Sequence, residues 1–263
     1  MSNLYRSILN VQGSSLFSTN SFTFDGQSDR VICGDSDDYS FGDGVNDSPF
    51  SISAWIKPNS TGVTFPIINK VYNNGSQDEW ELRTLGTDKI RFVLYKNDVL
   101  NRRGRDTTIQ TTALQDWCHI VGTYDGRGGS TAYDGIKIYV NSIRSDATNT
   151  SKNTYTAMSN KWSTVKIGHH DDFNFWANGL IDEVAIFNTE LSQLQVDSIY
   201  NGGIPNDLSS LNPISWWRMG ENATYDSGTQ TWTLANQGSG GNDGTSVTFP
   251  APPPAQPSTD VPT

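Results

Sequence analysis

The chain has 263 residues, which suffices for one large all-β domain or for two small domains. Hydrophobic residues make up 35% and charged residues 17%, and the 24 Gly, 8 Trp and 10 Tyr indicate short strands separated by tight turns. Eighteen basic residues against 28 acidic ones leave a net charge of -10, which disfavours nucleic acid and anionic lipid as partners.

Cysteine content and the first residues bear on the cellular compartment. Cys33 and Cys118 are too few for a disulfide framework and lack metal-ligand spacing, so we expect reduced structural thiols rather than a disulfide pair. The first 15 residues resemble no signal peptide, and no apolar run is long enough to insert into a membrane. We therefore expect cytosolic synthesis without a signal peptide, followed by a virion or extracellular location reached through lysis or incorporation into a particle.

Alternation with a period of two residues recurs along the chain, whereas helical periodicity is nearly absent. In the segment FSISAWIKP, Ile52, Ala54 and Ile56 share one face, and Pro58 ends the run. Similar patterns predict strands at residues 20–25, 29–33, 50–57, 65–71, 79–84, 89–95, 106–111, 117–124, 135–141, 163–168 and 175–187.

One short helix is predicted at residues 190–200, where Leu191, Leu194, Ile199 and Tyr200 form an apolar stripe that would cap the sheets. The segment that follows differs in composition: it contains the strand pattern ISWWRMG and then a Gly-rich loop. Residues 250–263 are rich in proline and are predicted to form an extended tail.

Four segments occur in an order that resembles a known family. They are SFTFDGQSDRV, FSISAWIKP, WCHIVGTYDG followed by IKIYVN, and IGHHDDFNFWANGLIDEVAIFNTELSQLQVDSIYNGG. Together they cover residues 20–203 and resemble the laminin-G-like, concanavalin A-like lectin/glucanase superfamily. The resemblance implies an all-β fold, a jelly-roll sandwich of two antiparallel sheets with one short helix.

The order of one motif departs from that family. Members commonly open with a strand resembling WWRMGE, followed by an Asp-Ser-Gly turn and a Gly-rich loop, but here these motifs come last, at residues 216–245. This implies a circularly permuted domain at residues 1–249, in which residues 213–249 complete the sandwich. The alternative is that residues 213–249 begin a second, truncated domain that pairs with another molecule; we favour completion because an isolated hairpin is barely stable.

A single Asp stands inside the apolar segment GLIDEVAIF, where an unpartnered carboxylate would be costly to bury. The family resemblance implies that Asp182 helps to bind a structural Ca²⁺, together with Glu221 or the carbonyl of Gly220, and that Asp25 is another contributor. Calcium takes six to eight oxygen ligands, so backbone carbonyls and water would complete the set. The alternative is that Asp182 caps a turn or accepts backbone hydrogen bonds.

The segment IGHHDDFNFW is the densest polar and aromatic cluster. Its His169, His170, Asp171 and Asp172 have the chemistry of transition-metal ligands. Neighbouring residues on a strand point to opposite faces, however, so ordinary loop polarity is the preferred interpretation.

The same segment has the residue types of a carbohydrate site, in which aromatic faces stack on sugar C–H groups and polar side chains bind hydroxyls. Packing in the core explains each Trp equally well. The candidate residues are Trp55, Trp80, Arg83, Arg91, Tyr95, His169, Asp171, Phe173 and Trp176.

Catalysis has little support in the sequence. Retaining glycoside hydrolysis needs two close carboxyl groups, and Glu79 and Glu81 share a face, but the Glu-x-Asp-x-x-Glu pattern of the related glucanases is missing. We therefore predict a protein that is not an enzyme.

The function predicted from these patterns is a non-catalytic virion structural protein, a decoration, fibre or tail-associated subunit, whose lectin-like sandwich binds host surface glycans. Its partners would be other copies of itself, other virion proteins and surface glycans. The ending from WWRMG to STDVP resembles sequences of marine phages and their hosts. The alternative is a secreted or surface carbohydrate-binding adhesion module of a bacterium.

Overall fold

The computed structural model describes residues 17–72, 76–108, 116–247 and 257–263. Within these residues there is one α-helix, α1 (Gln193–Tyr200), and 3₁₀ turns occur at Asp37–Tyr39, Ala132–Gly135, Asn201–Gly203 and Ser209–Leu211. The strands in chain order are β1 (Ser21–Asp25), β2 (Arg30–Ile32), β3 (Phe50–Pro58), β4 (Pro66–Lys70), β5 (Trp80–Thr84), β6 (Ile90–Tyr95), β7 (Arg102–Thr107), β8 (Cys118–Tyr124), β9 (Ile136–Val140), β10 (Ile143–Arg144), β11 (Asp146–Asn149), β12 (Val165–Ile167), β13 (His169–His170), β14 (Phe175–Trp176), β15 (Asn178–Phe187), β16 (Ser215–Trp217), β17 (Met219–Asp226), β18 (Thr231–Leu234), β19 (Gly244–Val247) and β20 (Pro257–Ser258).

Two large antiparallel sheets form the sandwich. The first has the order β10-β9-β8-β3-β15-β1-β20, with β16 also paired to β15. The second has the order β11-β7-β6-β5-β4-β12-β2-β19-β18-β17, and β13 pairs with β14 in a separate hairpin. The predicted fold class, an all-β jelly-roll sandwich with one short helix, is confirmed.

The main core lies between the sheets, as the alternation pattern predicts. Ile52, Ala54 and Ile56 all point into it and are fully buried. Aromatic rings fill its centre: Phe50 stacks on Phe41 with ring centroids 4.1 Å apart. Burying such rings is a large source of stability because each removes much apolar surface from water.

The helix covers the other face of the first sheet. It begins at Gln193, three residues later than the predicted start, because Ser192 caps it and forms a reciprocal capping box with Gln195. Val196 and Ile199 pack on the sheet, whereas Leu194 is 80% exposed. The predicted apolar stripe is therefore wrong at Leu194, because five residues at about 100° each place Leu194 on a different side of the helix from Ile199, whereas Val196 shares its face.

Strand β15 contains a β-bulge that changes which side chains face the core. Its pairing with β3 shifts by one residue between Asp182 and Ala185, and Glu183 adopts a φ of +46°. Ile181 points into the main core before the bulge, and Val184 does so after it. The extra residue thus reverses the alternation, which keeps apolar side chains inside on both sides of Asp182.

Residues 213–247 are hydrogen-bonded to both sheets. Ser215–Trp217 pair with Ala185 and its neighbours on β15, and Gly244–Val247 pair with β2 in the second sheet. Trp217 lies in the main core with an exposed fraction of 0%. This stretch therefore shares the core of the strands that precede it.

Three other predictions from the sequence can be compared with the structure. The strand predicted at residues 106–111 instead spans Arg102–Thr107, and residues 109–115 lie outside the described part of the chain. Of the predicted extended tail, residues 250–256 also lie outside it, whereas Pro257–Ser258 pair with β1. Cys33 and Cys118 are buried and form no disulfide with each other, as expected.

Candidate functional site

The polar face of the second sheet is covered by the hairpin of residues 169–176, here called the covering hairpin. His170 Nε2 lies 2.6 Å from Glu81 Oε2, and Arg83 Nε lies 3.0 Å from Glu81 Oε1. Asn69 Nδ2 donates to the His169 carbonyl at 2.7 Å. Burial by itself would raise the pKa of Glu81, but the charges of Arg83 and His170 outweigh it and hold that pKa well below its usual range. These contacts hold the hairpin against the sheet.

Three residues predicted to bind sugar are buried. Trp80 is fully buried in the main core, where its Nε1 donates to the Tyr39 carbonyl at 2.9 Å. Tyr95 is 1% exposed. Arg83 is 8% exposed because its guanidinium lies 5.5 and 5.7 Å from the ring centroids of Phe173 and Phe175. The prediction of direct sugar contact is therefore wrong for these three side chains.

Two more candidates are occupied by other contacts. Arg91 forms a two-pronged ion pair with Asp106, at 2.7 Å and 2.8 Å. Trp55 is 2% exposed and stacks under the helix on Tyr200, with centroids 5.8 Å apart. Both side chains serve packing within the domain.

The remaining candidates lie on the covering hairpin, where Phe173 is exposed, Asp171 and Trp176 are half-buried and His169 is buried. The rings of His169 and Trp176 stack with centroids 3.7 Å apart, and Phe173 is 41% exposed. Asp171 Oδ2 lies 2.8 Å from Lys166 Nζ, and its Oδ1 lies 2.9 Å from His169 Nδ1. Although burial opposes ionisation, those hydrogen bonds lower the pKa of Asp171 to about 2. This carboxylate is thus a fixed, charged acceptor at the surface.

Sequence reasoning missed two exposed aromatic residues beside these. Trp162 is 56% and Tyr72 37% exposed, and their ring centroids are 4.8 Å apart. Lys166 Nζ lies 5.9 Å from the centroid of Tyr72, which joins the pair to Asp171. The available signal was the position of Trp162 between Lys161 and Ser163, directly before a predicted strand. We call the surface formed by Tyr72, Trp162, Lys166, His169, Asp171 and Trp176 the aromatic patch.

The two histidines of the hairpin do not converge. His170 faces Glu81 inside the sheet, whereas His169 stacks on Trp176. In the described ranges, the grouping of three or more metal-ligating side chains lies elsewhere, at Asp182, Glu183 and Glu221.

These three carboxyl groups lie together where β15 meets β17, with one ligand atom of each within 4.8 Å of the others. Asp182 is fully buried; its Oδ2 accepts from Ser18 Oγ at 2.7 Å. Burial and the charges of Glu183 and Glu221 raise the pKa of Asp182 well above its usual range. Glu221 Oε1 accepts from the Asn20 amide at 2.8 Å, while no hydrogen-bond donor among the described residues reaches its buried Oε2. We call Asp182, Glu183 and Glu221 the carboxylate cluster.

The structure of the carboxylate cluster differs from the prediction made from the sequence at two residues, Asp25 and Glu183. Asp25 lies outside the cluster: its Oδ1 accepts from the amides of Gln27 and Ser28, both at 2.8 Å, in a turn. It pairs in register with Asn178, four residues before Asp182 and so about 13 Å away along the strand. Asp25 as a ligand of this site is therefore wrong.

Glu183 was missed because adjacent residues on a regular strand face opposite sides. The bulge brings Glu183 beside Asp182. Its carboxylate is already engaged, by Trp216 Nε1 at 2.5 Å and Arg218 Nε at 3.1 Å. Asp182 and Glu221 thus remain the two groups with capacity for a cation.

A family model for the concanavalin A-like lectin/glucanase superfamily, of the laminin G type, matches residues 25–197. The chain belongs to this superfamily. A search of curated proteins finds no match. In the described part of this concanavalin A-like domain, no helix is long and apolar enough to cross a membrane.

Solved structures of low sequence identity are similar to this chain. A proposed carbohydrate-binding protein from Bacteroides ovatus is 16% identical with a TM-score of 0.56, and the match covers 89% of this chain and 61% of that one. A SAP-like pentraxin from Limulus polyphemus is 14% identical (TM-score 0.39; 66% of this chain, 82% of that chain). Domains LG4-5 of the mouse laminin α1 chain are 11% identical (TM-score 0.39; 64% and 41%). The concanavalin A-like domain thus spans less than two thirds of the Bacteroides protein.

Proposed function

We propose that this concanavalin A-like domain is a non-catalytic carbohydrate-binding module, and that it is a structural subunit of a virion that displays this module to host surface glycans. The observation that supports glycan binding is the aromatic patch. It combines the exposed rings of Tyr72 and Trp162 with the half-buried Trp176 and the fixed carboxylate of Asp171, which the buried Lys166 and His169 hold by close contacts. Aromatic rings beside a fixed acceptor are the combination that sugar sites use. The alternative, an adhesion module of a bacterium, would use the same patch and differ in what the chain is attached to.

The charges of the patch favour a neutral glycan. Lys166 is paired with Asp171, and the guanidinium of Arg30 lies 5.6 Å from the Trp176 ring centroid, so both cations are already engaged with side chains of the patch. The chain as a whole has a net charge of -10, which repels sialylated or sulfated sugars. We therefore propose neutral hexose-type sugars as ligands.

The positions of the two acidic residues that the sequence singled out for catalysis support a non-catalytic role. Glu79 is fully buried and lies 2.6 Å from Lys70 Nζ, and Glu81 is 1% exposed and bonded to His170 and Arg83. A retaining hydrolase needs both carboxyl groups at the substrate. Neither of these groups faces an open cleft.

Glycan binding should depend on Trp162. In a glycan array followed by calorimetric titration of the neutral sugar bound, Trp162→Ala should weaken binding about tenfold, because a lost stacking contact costs about 1.4 kcal/mol. Leu194→Ala is the matched control, since Leu194 is 80% exposed on the helix, away from the patch. Equal binding by both variants, or a silent array, would contradict the proposed site.

A virion role predicts that peptides of this chain occur in purified phage particles. Mass spectrometry of such particles, grown on a host whose genome encodes no related chain, is the direct measurement. Detection only in the bacterial secreted fraction would favour the adhesion module instead.

We further propose that the carboxylate cluster holds a structural Ca²⁺, with Asp182 and Glu221 as its acidic ligands. The fit rests on the buried Oε2 of Glu221, which meets no donor from the described residues, and on the raised pKa of Asp182. A bound cation would supply the positive charge that these two carboxylates need to remain ionised.

Calcium should therefore raise the melting temperature, and EDTA should remove the effect. At a calcium concentration about 100 times the Kd, the added stability is about 2.7 kcal/mol. Asp182→Asn should abolish the calcium response, whereas Asp25→Asn should retain it because Asp25 binds only its own turn. An unchanged melting temperature with and without calcium would overturn this proposal.

A further inference from the structure

Residues 257–261, here called the docking segment, bind across one end of the first sheet. Strand β20 pairs with β1, with Ser258 opposite Ser21. Ser21 Oγ donates to the Asp260 carbonyl at 2.6 Å, and the Asp260 carboxylate receives Lys57 Nζ at 2.8 Å and Trp117 Nε1 at 2.9 Å. The segment therefore touches β1, the end of β3 and the residue preceding β8.

The surface that binds the docking segment makes contacts that depend on the side chain at position 260. Lys57 and Trp117 converge on one carboxylate, so an uncharged residue at position 260 would lose both contacts. Val261 is 7% exposed, which adds apolar burial beside the charged pair. Among the described strands, only the short β20 pairs with β1 on the side away from β15, and a sheet edge of this kind readily accepts a strand. We call the surface formed by Ser21, Lys57 and Trp117 the docking groove.

We propose that the docking groove accepts the docking segment of a second copy of the chain, so that copies assemble by exchanging this strand. This inference does not depend on carbohydrate binding. The contacts in the groove would be the same whether the segment came from the same chain or from another, which makes exchange a low-cost route to association.

The sequence between the sandwich and the docking segment favours exchange. Nine residues, 248–256, separate β19 from β20, and at full extension they could reach about 30 Å. Four of them are prolines, at positions 250, 252, 253 and 254.

Charge also favours a specific contact between copies. With a net charge of -10, copies repel one another unless a complementary contact forms. Lys57 and Asp260 supply such a contact, with side chains 28% and 46% exposed. A second copy can thus reach both partners from solvent.

The test uses two full-length variants, Ser21→Cys and Ser258→Cys, carrying tags of different size. Residues in register on antiparallel strands have Cα atoms about 4.5–5.5 Å apart, which suits a disulfide. The native Cys33 and Cys118 are buried. After mixing and mild oxidation, exchange predicts disulfide-linked pairs of the two chains, with a yield that rises as the concentration approaches about 1 mM, the usual effective concentration of a tethered segment.

Two controls make the result decisive. Adding Asp260→Ala to the Ser258→Cys chain should lower the yield about fivefold, because an ion pair and a hydrogen bond of about 1 kcal/mol together are lost. Thr259→Ala, at an exposed position, should leave it unchanged. If the mixture yields no linked pairs while the double variant Ser21→Cys/Ser258→Cys closes within one chain, exchange is wrong. Should neither disulfide form, a single-chain mass by light scattering of the native protein at about 1 mM would equally overturn it.

Discussion

Replacement of Lys70 by Met is expected to lower the free energy of unfolding by about 3 kcal/mol, because it leaves a buried carboxylate without its partner. Lys70 Nζ lies 2.6 Å from Glu79 Oε1, and both side chains are fully buried. Burial raises the pKa of Glu79 to about 7 even against the attraction of Lys70. Asp35 lies 3.0 Å from the same ammonium and would lose its partner too.

The same substitution should weaken glycan binding. Lys70 Nζ donates to the Lys161 carbonyl at 2.5 Å, and Glu79 Oε1 accepts from the Lys161 amide at 2.8 Å. This pair therefore holds the backbone next to Trp162, the most exposed ring of the aromatic patch.

Chemical denaturation of single and double variants measures the effect. Lys70→Met/Glu79→Gln should recover most of the lost stability, since Gln keeps an acceptor for the Lys161 amide and leaves no buried charge. If the losses in free energy of unfolding of the two single variants add up to that of the double variant, the buried ion pair does not cause the destabilisation.

Raising the pH from 5 to 8 should destabilise the domain by about 4 kcal/mol at most, through the carboxyl pair Asp78 and Asp172. Burial and the neighbouring Asp172 raise the pKa of Asp78 to about 8. The native state therefore retains a proton that the unfolded chain releases near pH 4. The stability is present at low pH and is lost as the pH rises toward 8.

Other charged groups face this pair. Glu81 raises the pKa of both carboxyls, Asp171 raises that of Asp172, and His170 lowers it. Asp78 belongs to the segment before β5 and Asp172 to the covering hairpin, so the shared proton joins the hairpin to the second sheet.

Asp172→Asn isolates this contribution, because the amide can donate to Asp78 without a proton being shared. Denaturation in EDTA at pH 5 and pH 8 should show a smaller pH dependence for the variant than for the native chain. Glu79 titrates in the same direction in both proteins, so only the difference between them is informative. An equal loss of stability in both would exclude the carboxyl pair.

Local patterns predicted most of the strands, and the family resemblance predicted that they form a sandwich. Alternation placed Ile52, Ala54 and Ile56 in the core, and it did so because a strand that lies between a core and another layer repeats every two residues. The start of the helix and the strand at 102–107 were less well defined, since a capping serine and a run of arginines carry little periodic signal.

The accessibility of individual aromatic residues could not be predicted in the same way. Alternation shows that Trp80 and Glu81 face opposite sides, but not which side is covered. Glu81 is buried because the covering hairpin, almost 90 residues later, folds onto it. Long-range packing of this kind also hides Arg83 and Tyr95 and leaves Trp162 exposed.

The residues of the carboxylate cluster were also predicted only in part. The family resemblance singled out Asp182 and Glu221, which the structure brings together. The prediction of Asp25 as a ligand was wrong because its carboxylate accepts hydrogen bonds within its own turn. Glu183 was overlooked because an alternating pattern does not reveal a bulge.

Because β15 contains a bulge, its packing depends on the number of residues in this stretch more than on the identity of each side chain. Deleting one residue between Asp182 and Val184 would turn Val184 and Ile186 toward the helix layer and bring Ala185 and Phe187 between the sheets. Protein engineers can therefore exchange amino acids there with graded losses, whereas shortening the segment by one position would invert the inside and outside of the strand's whole second half.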